Sequence, residues 1–255
     1  MVGQLRTLPN QQLIQTDATG QMYVNGNPVL NSLAYAAQQF AVNLGAFETL
    51  TQSLYDSAAY AVAGQQQLTF FQTGVGAGTG IISGAAKTPE DTNMLAGGFM
   101  PNMQAYLVTS IEMEYQAGVT SSGFAAANLP STLATPSVIA AINDQYKVRS
   151  TGYLVFNIGS KAYMTEGPLM KFPASNEYQI DCALSDTTTA GATQAQRVAQ
   201  GRAGGPAYVL TPNNLFLIPM QNFNVTLNWA TVETITTTAA RIFIRLMGQL
   251  IRAAQ

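Results

Sequence analysis

The segment Asn222-Phe-Asn-Val-Thr-Leu-Asn-Trp229 alternates without a break between apolar and polar residues. Successive side chains of a β-strand point to opposite faces, so Phe223, Val225, Leu227 and Trp229 share one face and the asparagines and Thr226 the other. A helix would scatter those four apolar side chains around its circumference. Residues 241–250 repeat the pattern, with Ile242, Ile244, Leu246 and Leu250 on one face. Strands with one oily and one wet face belong to antiparallel sheets that cover a core on one side.

Similar signals precede these two. Residues 66–72 are rich in aromatic and β-forming side chains. Residues 106–115 form a long strand, with Leu107, Ile111, Met113 and Tyr115 on one face and Glu112 and Glu114 on the other. Residues 153–158, a turn at Gly159-Ser160 and residues 161–165 read as a strand pair. Shorter strands fall at 208–210 and 215–218. Residues 136–146 read as a short helix. Long loops are expected at 74–100, 118–136 and 186–206, where Gly, Ser, Ala and Thr predominate. About eight strands therefore lie within residues 62–255, with no strand–helix–strand alternation, so a doubly wound or (β/α)8 layout is disfavoured. The chain is expected to be all-β, an antiparallel β-sandwich of jelly-roll type.

The first 60 residues read differently. Residues 1–30 look extended, with Asn25-Gly26 marking a tight hairpin turn. Leu30, Leu33, Ala37, Phe40, Leu44, Phe47 and Leu54 recur at spacings close to helical, which predicts an amphipathic helix over 31–60. The expected division is an N-terminal arm and helix at 1–60 and a single jelly-roll sandwich at 61–255.

Composition narrows the chemistry. The chain has no histidine and a single cysteine, Cys182, which reads as a small core residue. This removes His-dependent nucleophile systems, an intrachain disulfide and Cys-rich metal sites. Charged residues are 9% of the 255, against roughly 25% in ordinary soluble domains. Amides, hydroxyls, Ala and Gly replace them, a surface suited to being covered by copies of itself. Eleven thinly spread basic residues make no nucleic-acid stripe, so any such contact is weak. Residues 18–47 carry no charge, yet Asn and Gln interrupt them too often for a membrane span.

Individual candidates for chemistry are thin. The glycine-rich stretch 74–80 lacks the adjoining Gly-Lys-Ser/Thr of a phosphate-binding loop, since Lys87 stands apart. Glu112 and Glu114, two residues apart on a strand, would lie roughly 6.5–7 Å from each other, which brushes the spacing of an inverting glycosidase. A solvated or subunit-facing pair is the simpler expectation. Arg241 and Arg245 flank Phe243 on one strand face and suit an interface. Asp181 and Asp186 match no calcium loop, and Arg197 and Arg202 lie in a glycine-rich loop.

The uncharged arm and helix (1–60), the strand Gln67-Leu-Thr-Phe-Phe71, the segment Asp91-Thr-Asn-Met-Leu-Ala-Gly-Gly-Phe-Met-Pro101 leading into 106–115, and the closing strands 223–229 and 242–251 together resemble jelly-roll capsid proteins of tailless icosahedral bacteriophages. The resemblance is one of layout. It implies a virion structural protein with no enzymatic activity and no cofactor, made in the host cytoplasm and assembled into trimers or larger capsomers with other virion proteins. Many such proteins are double jelly rolls of about sixteen strands. The strand count here implies one roll, and the lack of a basic cluster favours a shell above an internal membrane or a separate inner layer. On that reading Leu33, Phe40, Leu44 and Phe47 dock on a neighbouring subunit, and Arg241 and Arg245 pair across subunits with Glu112 or Glu114. A soluble carbohydrate-binding sandwich or glycosidase, or a phage tail or fibre component, are the alternatives.

Overall fold

The computed structural model describes the backbone at residues 6–7, 13–16, 22–24, 27–28, 47–81, 84–120, 123–124, 136–174, 179–185, 194–200, 207–210, 214–236 and 239–253. Two antiparallel sheets dominate it. The larger is built on β8 (Gln104–Gln116) and β18 (Ala240–Ala253), paired along almost their whole length. Its flanks are β5 (Phe47–Thr51) and β6 (Leu54–Tyr60) beside β18, and β15 (Tyr208–Val209) and β16 (Leu215–Leu217) beside β8. The smaller sheet has the order β12-β11-β17-β7, from β7 (Gln67–Phe70), β11 (Gly152–Ile158), β12 (Lys161–Glu166) and β17 (Phe223–Trp229).

The alternation read from the sequence decides which faces meet. In β17, Phe223, Val225, Leu227 and Trp229 are buried and the residues between them are not. Leu154, Phe156 and Ile158 of β11 pack beside them, against Ile111, Met113, Ile242, Ile244 and Leu246 of the larger sheet. Phe156 stacks on Phe223 with ring centroids 6.4 Å apart, and Tyr60 meets Trp229 edge-on at 5.1 Å. Each such side chain contributes about 1.5–3 kcal/mol by leaving water. The outer face of the smaller sheet is held by neutral amides instead of charges. Asn157 Nδ2 donates to Asn224 Oδ1, and Gln67 Nε2 to Asn228 Oδ1, each at 2.9 Å.

A β-bulge corrects one expected face. Ser110 opposes Met247 and Val108 opposes Gly248, so Thr109 is an extra residue on β8. The extra residue reverses the alternation. Tyr106 and Val108 point into the core before it, and Ile111, Met113 and Tyr115 after it. Leu107, expected to share a face with Ile111, therefore lies on the opposite one.

The helix anticipated over 31–60 is corrected where it can be seen. Residues 47–51 and 54–60 are strands, paired with β18 from Phe47↔Ala253 to Tyr60↔Ala240. Their inward positions include Asp56, which hides a period of two behind an apparent period of three and four. The ready-made ladder of β18 supplies the hydrogen bonds a helix would have had to make internally. Residues 47–60 thus pair with the sandwich. Leu33, Phe40 and Leu44 lie outside the described residues.

Four short strands form a meander in the arm: β1 (Arg6–Thr7), β2 (Leu13–Thr16), β3 (Met22–Val24) and β4 (Asn27–Pro28). β3 and β4 pair antiparallel, Tyr23 against Pro28 and Val24 against Asn27, as the hairpin expectation requires. Short strands β9 (Val119–Thr120) and β10 (Gly123–Phe124) pair with each other. The expected loop over 186–206 instead contains β14 (Gln194–Gln200), paired with β13 (Gln179–Ser185). Its apolar residues, Ala195, Val198 and Ala199, do not recur every second position, so it carries no alternation to read.

Helix α1 (Pro136–Thr151) is longer than expected. Trp229 Nε1 donates to the Val148 carbonyl at 2.9 Å, and Asp144 accepts from the amide and hydroxyl of Thr236. These contacts tie the helix to the end of the sandwich near Trp229. No described helix is long and apolar enough to cross a membrane.

Candidate functional site

Among the described residues of the 33-residue connection between β7 and β8 there is no regular strand or helix. They lie along β6, the free edge of the larger sheet. An exposed edge offers unpaired N–H and C=O groups to any other strand. Here loop side chains occupy them. Tyr55 N–H donates to Asn93 Oδ1 at 2.9 Å, Asn93 Nδ2 to the Ser53 carbonyl at 2.7 Å, and Thr92 Oγ1 to the Tyr55 carbonyl at 3.0 Å. The Tyr55 hydroxyl donates to the Pro89 carbonyl at 2.5 Å.

Buried charges anchor this loop. Lys87 Nζ lies 2.6 Å from Asp56 Oδ1 and donates to the Ser57 carbonyl at 3.0 Å. The other oxygen of Asp56 accepts the Phe71 amide at 2.6 Å. Burial pushes the Asp56 carboxyl above its ordinary value, and Lys87 opposes that shift. Asp91, wholly buried, accepts from the amides of Ile81 and Thr88 and sits 3.6 Å from the Arg241 guanidinium. Arg241 also donates to the Glu90 carbonyl. Burial holds the guanidinium below its ordinary value, against the pull of Asp91, and it stays protonated. The lysine beside the glycine-rich stretch is thus engaged by an aspartate, and the stretch itself closes as a turn, with Gly76 N–H donating to the Lys87 carbonyl and Lys87 N–H to that of Ala77.

The four charged residues anticipated as interface partners sit on one patch of the larger sheet. Arg245 faces Glu112 in register and forms its ion pair with Glu114, at 2.5 Å. Glu112 is only 2% exposed. Arg241 stacks on Phe243 at 3.9 Å from the ring centre, and Arg245 lies over the same ring at 5.1 Å. The pairing expected between subunits closes within one chain for Arg245 and Glu114, while Arg241 takes Asp91, a partner the sequence did not suggest. Phe47 is paired in β5, not presented on a helix.

A smaller polar cluster lies where β12 ends. Glu166 Oε1 is 2.7 Å from Lys171 Nζ, and its Oε2 accepts the Tyr208 hydroxyl at 3.1 Å. The lysine hydrogen bond holds the Glu166 carboxyl below its ordinary value, and Glu166 raises that of Lys171. Burial first, and Glu166 second, push the Tyr208 phenol up. Asp181, Cys182 and Arg197 fall on β13 and β14, where only the backbone is described; Asp186 and Arg202 lie outside the described residues. No group of three or more potential metal ligands occurs among the described residues.

Sequence reasoning overlooked Asp56 and Asp91 as structural groups. The available signal was scarcity: in so uncharged a chain, an aspartate inside an apolar strand has to find a cation. The described residues make an all-β protein of two antiparallel sheets whose edge is sealed by an ion-paired loop. Comparison with protein families, with curated proteins and with solved structures finds no match.

Proposed function

We propose that the chain is a self-assembling virion shell subunit built on a single jelly roll. The observation that carries this is the pairing order. Count the strands of the two large sheets along the chain, taking β5 with β6 as the first and β15 with β16 as the sixth. The pairs are then first with eighth, second with seventh, third with sixth and fourth with fifth. That is the ladder of one long hairpin. Rolling the hairpin up brings the eighth strand against the third and the seventh against the fourth, and both pairings are present, also antiparallel.

Jelly rolls serve in viral capsids, lectins and cupins, so topology alone does not choose. Surface chemistry supports the capsid reading. Ionic groups are few, and several are drawn into the sealed edge at β6. What faces outward on the smaller sheet is mostly Asn, Gln, Thr and Tyr. Neutral surfaces of this kind associate without like-charge repulsion and without the cost of desolvating ions. The resemblance in layout to tailless-phage shell proteins agrees. On this reading the partners are further copies of the chain and other shell components, and the location is the virion.

Size-exclusion chromatography with light scattering tests the proposal, followed by negative-stain microscopy. Trimers or larger closed assemblies are the expected result. A chain that stays a single copy at high concentration overturns it, and rods or elongated trimers would favour a tail or fibre component.

A further inference from the structure

The contact between Lys87 and Asp56 has features that an ion pair alone does not need. Lys87 Nζ stands 2.6 Å from Asp56 Oδ1, with the side chains 9% and 1% exposed. Nζ also donates to the Ser57 carbonyl at 3.0 Å, which holds it against the same strand. The second carboxyl oxygen, Oδ2, accepts the Phe71 N–H at 2.6 Å. The surroundings are apolar. Phe70 and Phe71 are wholly buried, and Leu54 and Tyr60 share the inward side of β6 with Asp56.

Burial penalises ions, so it favours the neutral pair of carboxylic acid and amine over carboxylate and ammonium. The upward push on the Asp56 carboxyl is the same effect. A neutral lysine amine is a nucleophile. A carbonyl C–O bond is about 1.2 Å long. A nitrogen 2.6 Å from Oδ1 therefore stands roughly 3–3.5 Å from Cγ, the separation of a near-attack pair. Groups held this way react as though present at about 10⁵–10⁸ M. The Phe71 N–H already lies on the oxygen that becomes negative when Cγ is attacked. The neighbouring buried contact, Arg241 with Asp91 at 3.6 Å, has no such chemistry, because a guanidinium stays protonated.

We infer that Lys87 Nζ and Asp56 Cγ condense into an intramolecular amide that staples the sealing loop to β6. One proton passes from Nζ to Oδ1, giving amine and acid. The nitrogen lone pair then forms the bond to Cγ, and the C=O pair moves onto Oδ2 beneath the Phe71 N–H. A second proton moves from nitrogen to Oδ1. Oδ1 leaves as water and Oδ2 re-forms the carbonyl. One C–N bond replaces one C–O bond, one water is released, and no other reactant is consumed. The apolar surroundings keep water from reversing the step. The bond closes residues 56–87 into a covalent ring, independently of the shell-subunit reading above.

Intact-mass spectrometry of the full chain in denaturant tests this. The parent should fall short of its sequence mass by one water, about 18 Da. Trypsin acting on the denatured chain should cut after Arg6 and Lys147 but not after Lys87, whose amine has become an amide. Lys87→Arg keeps a cation at this position without a nucleophile, and Asp56→Ala removes the carbon attacked. Each variant should show its full sequence mass. A parent of full mass that trypsin cuts after Lys87 overturns the bond. A loss of water that persists in Lys87→Arg overturns it as well, because the dehydration then lies elsewhere. Neither result changes the self-association that tests the shell reading.

Discussion

Lys87 and Asp56, 31 positions apart in the chain, meet at 2.6 Å with side chains 9% and 1% exposed. The aspartate belongs to the edge strand β6 and the lysine to the loop that seals it. A loop of more than thirty residues would ordinarily be mobile. Here an ion pair and a set of side-chain hydrogen bonds hold it as one more layer on the sheet.

Lys87→Met is expected to destabilise the fold by about 3–5 kcal/mol at neutral pH, because it leaves Asp56 ionised and buried without its cation. Urea unfolding measures the loss. The pH dependence has a definite sign. The carboxyl of Asp56 lies above its ordinary value in the folded chain, so the folded state binds the proton more tightly than the unfolded state does. Its contribution to stability therefore increases as pH falls through the folded value towards 3.8. Loss of Lys87, which opposes the shift, raises the folded value further, so the deficit of Lys87→Met should shrink as pH falls through the variant's folded value towards the parent's. A deficit independent of pH would show that Asp56 is not the stranded group.

Gly152→Ala probes the seat of the helix. A methyl group there would lie 2.5 Å from Trp229 Nε1 and 2.6 Å from Leu169 Cδ1. Overpacking of this kind costs about 1–3 kcal/mol. The chain has one tryptophan, so its fluorescence reports the site directly. Emission should shift to longer wavelength as the indole is displaced from its bond to Val148. An unchanged spectrum would mean that the helix, not the ring, gives way.

Gly248→Ala acts at the bulge between β8 and β18. The added carbon would come within 1.8 Å of the Leu107 carbonyl oxygen. The obstacle is backbone in the central strand pair, so it cannot turn aside. The loss of stability should exceed that of Gly152→Ala in the same unfolding assay. A smaller loss would mean that the two strands separate locally at little cost.

Glu166 should titrate below its ordinary range in an NMR pH series, and Lys171→Met should raise it. For a depressed carboxyl, the stabilising contribution is complete above the unfolded value of 4.5 and is lost as pH falls through the folded value. The ion pair is partly solvated, so its effect on stability is small. Glu166→Gln should lower the Tyr208 phenol titration, read by ultraviolet absorbance, by removing the negative charge that opposes the phenolate.

Strands were legible where burial is one-sided. The alternation in β17 marked every inward residue correctly, because polar positions faced water and apolar ones the core. The strands 47–60 were not legible, because Asp56 occupies an inward position and its partner lies in a loop. Leu107 was assigned to the wrong face because a bulge is a property of pairing, and one extra residue at Thr109 cannot be seen in either strand alone. The β14 strand was missed for want of any apolar period.

Local sequence determined that this chain makes antiparallel strands with one apolar face, a hairpin pairing of β3 with β4 and a helix beginning at Pro136, since these depend on neighbours in the chain. The tertiary structure alone decided that β5 and β6 lie against the last strand, β18, that Arg245 takes Glu114 while Arg241 takes Asp91, and that Lys87 closes an edge instead of cradling a phosphate. Those outcomes depend on groups brought together across 30 to 200 positions, where the low dielectric of the interior makes each buried charge find a partner wherever the fold places one.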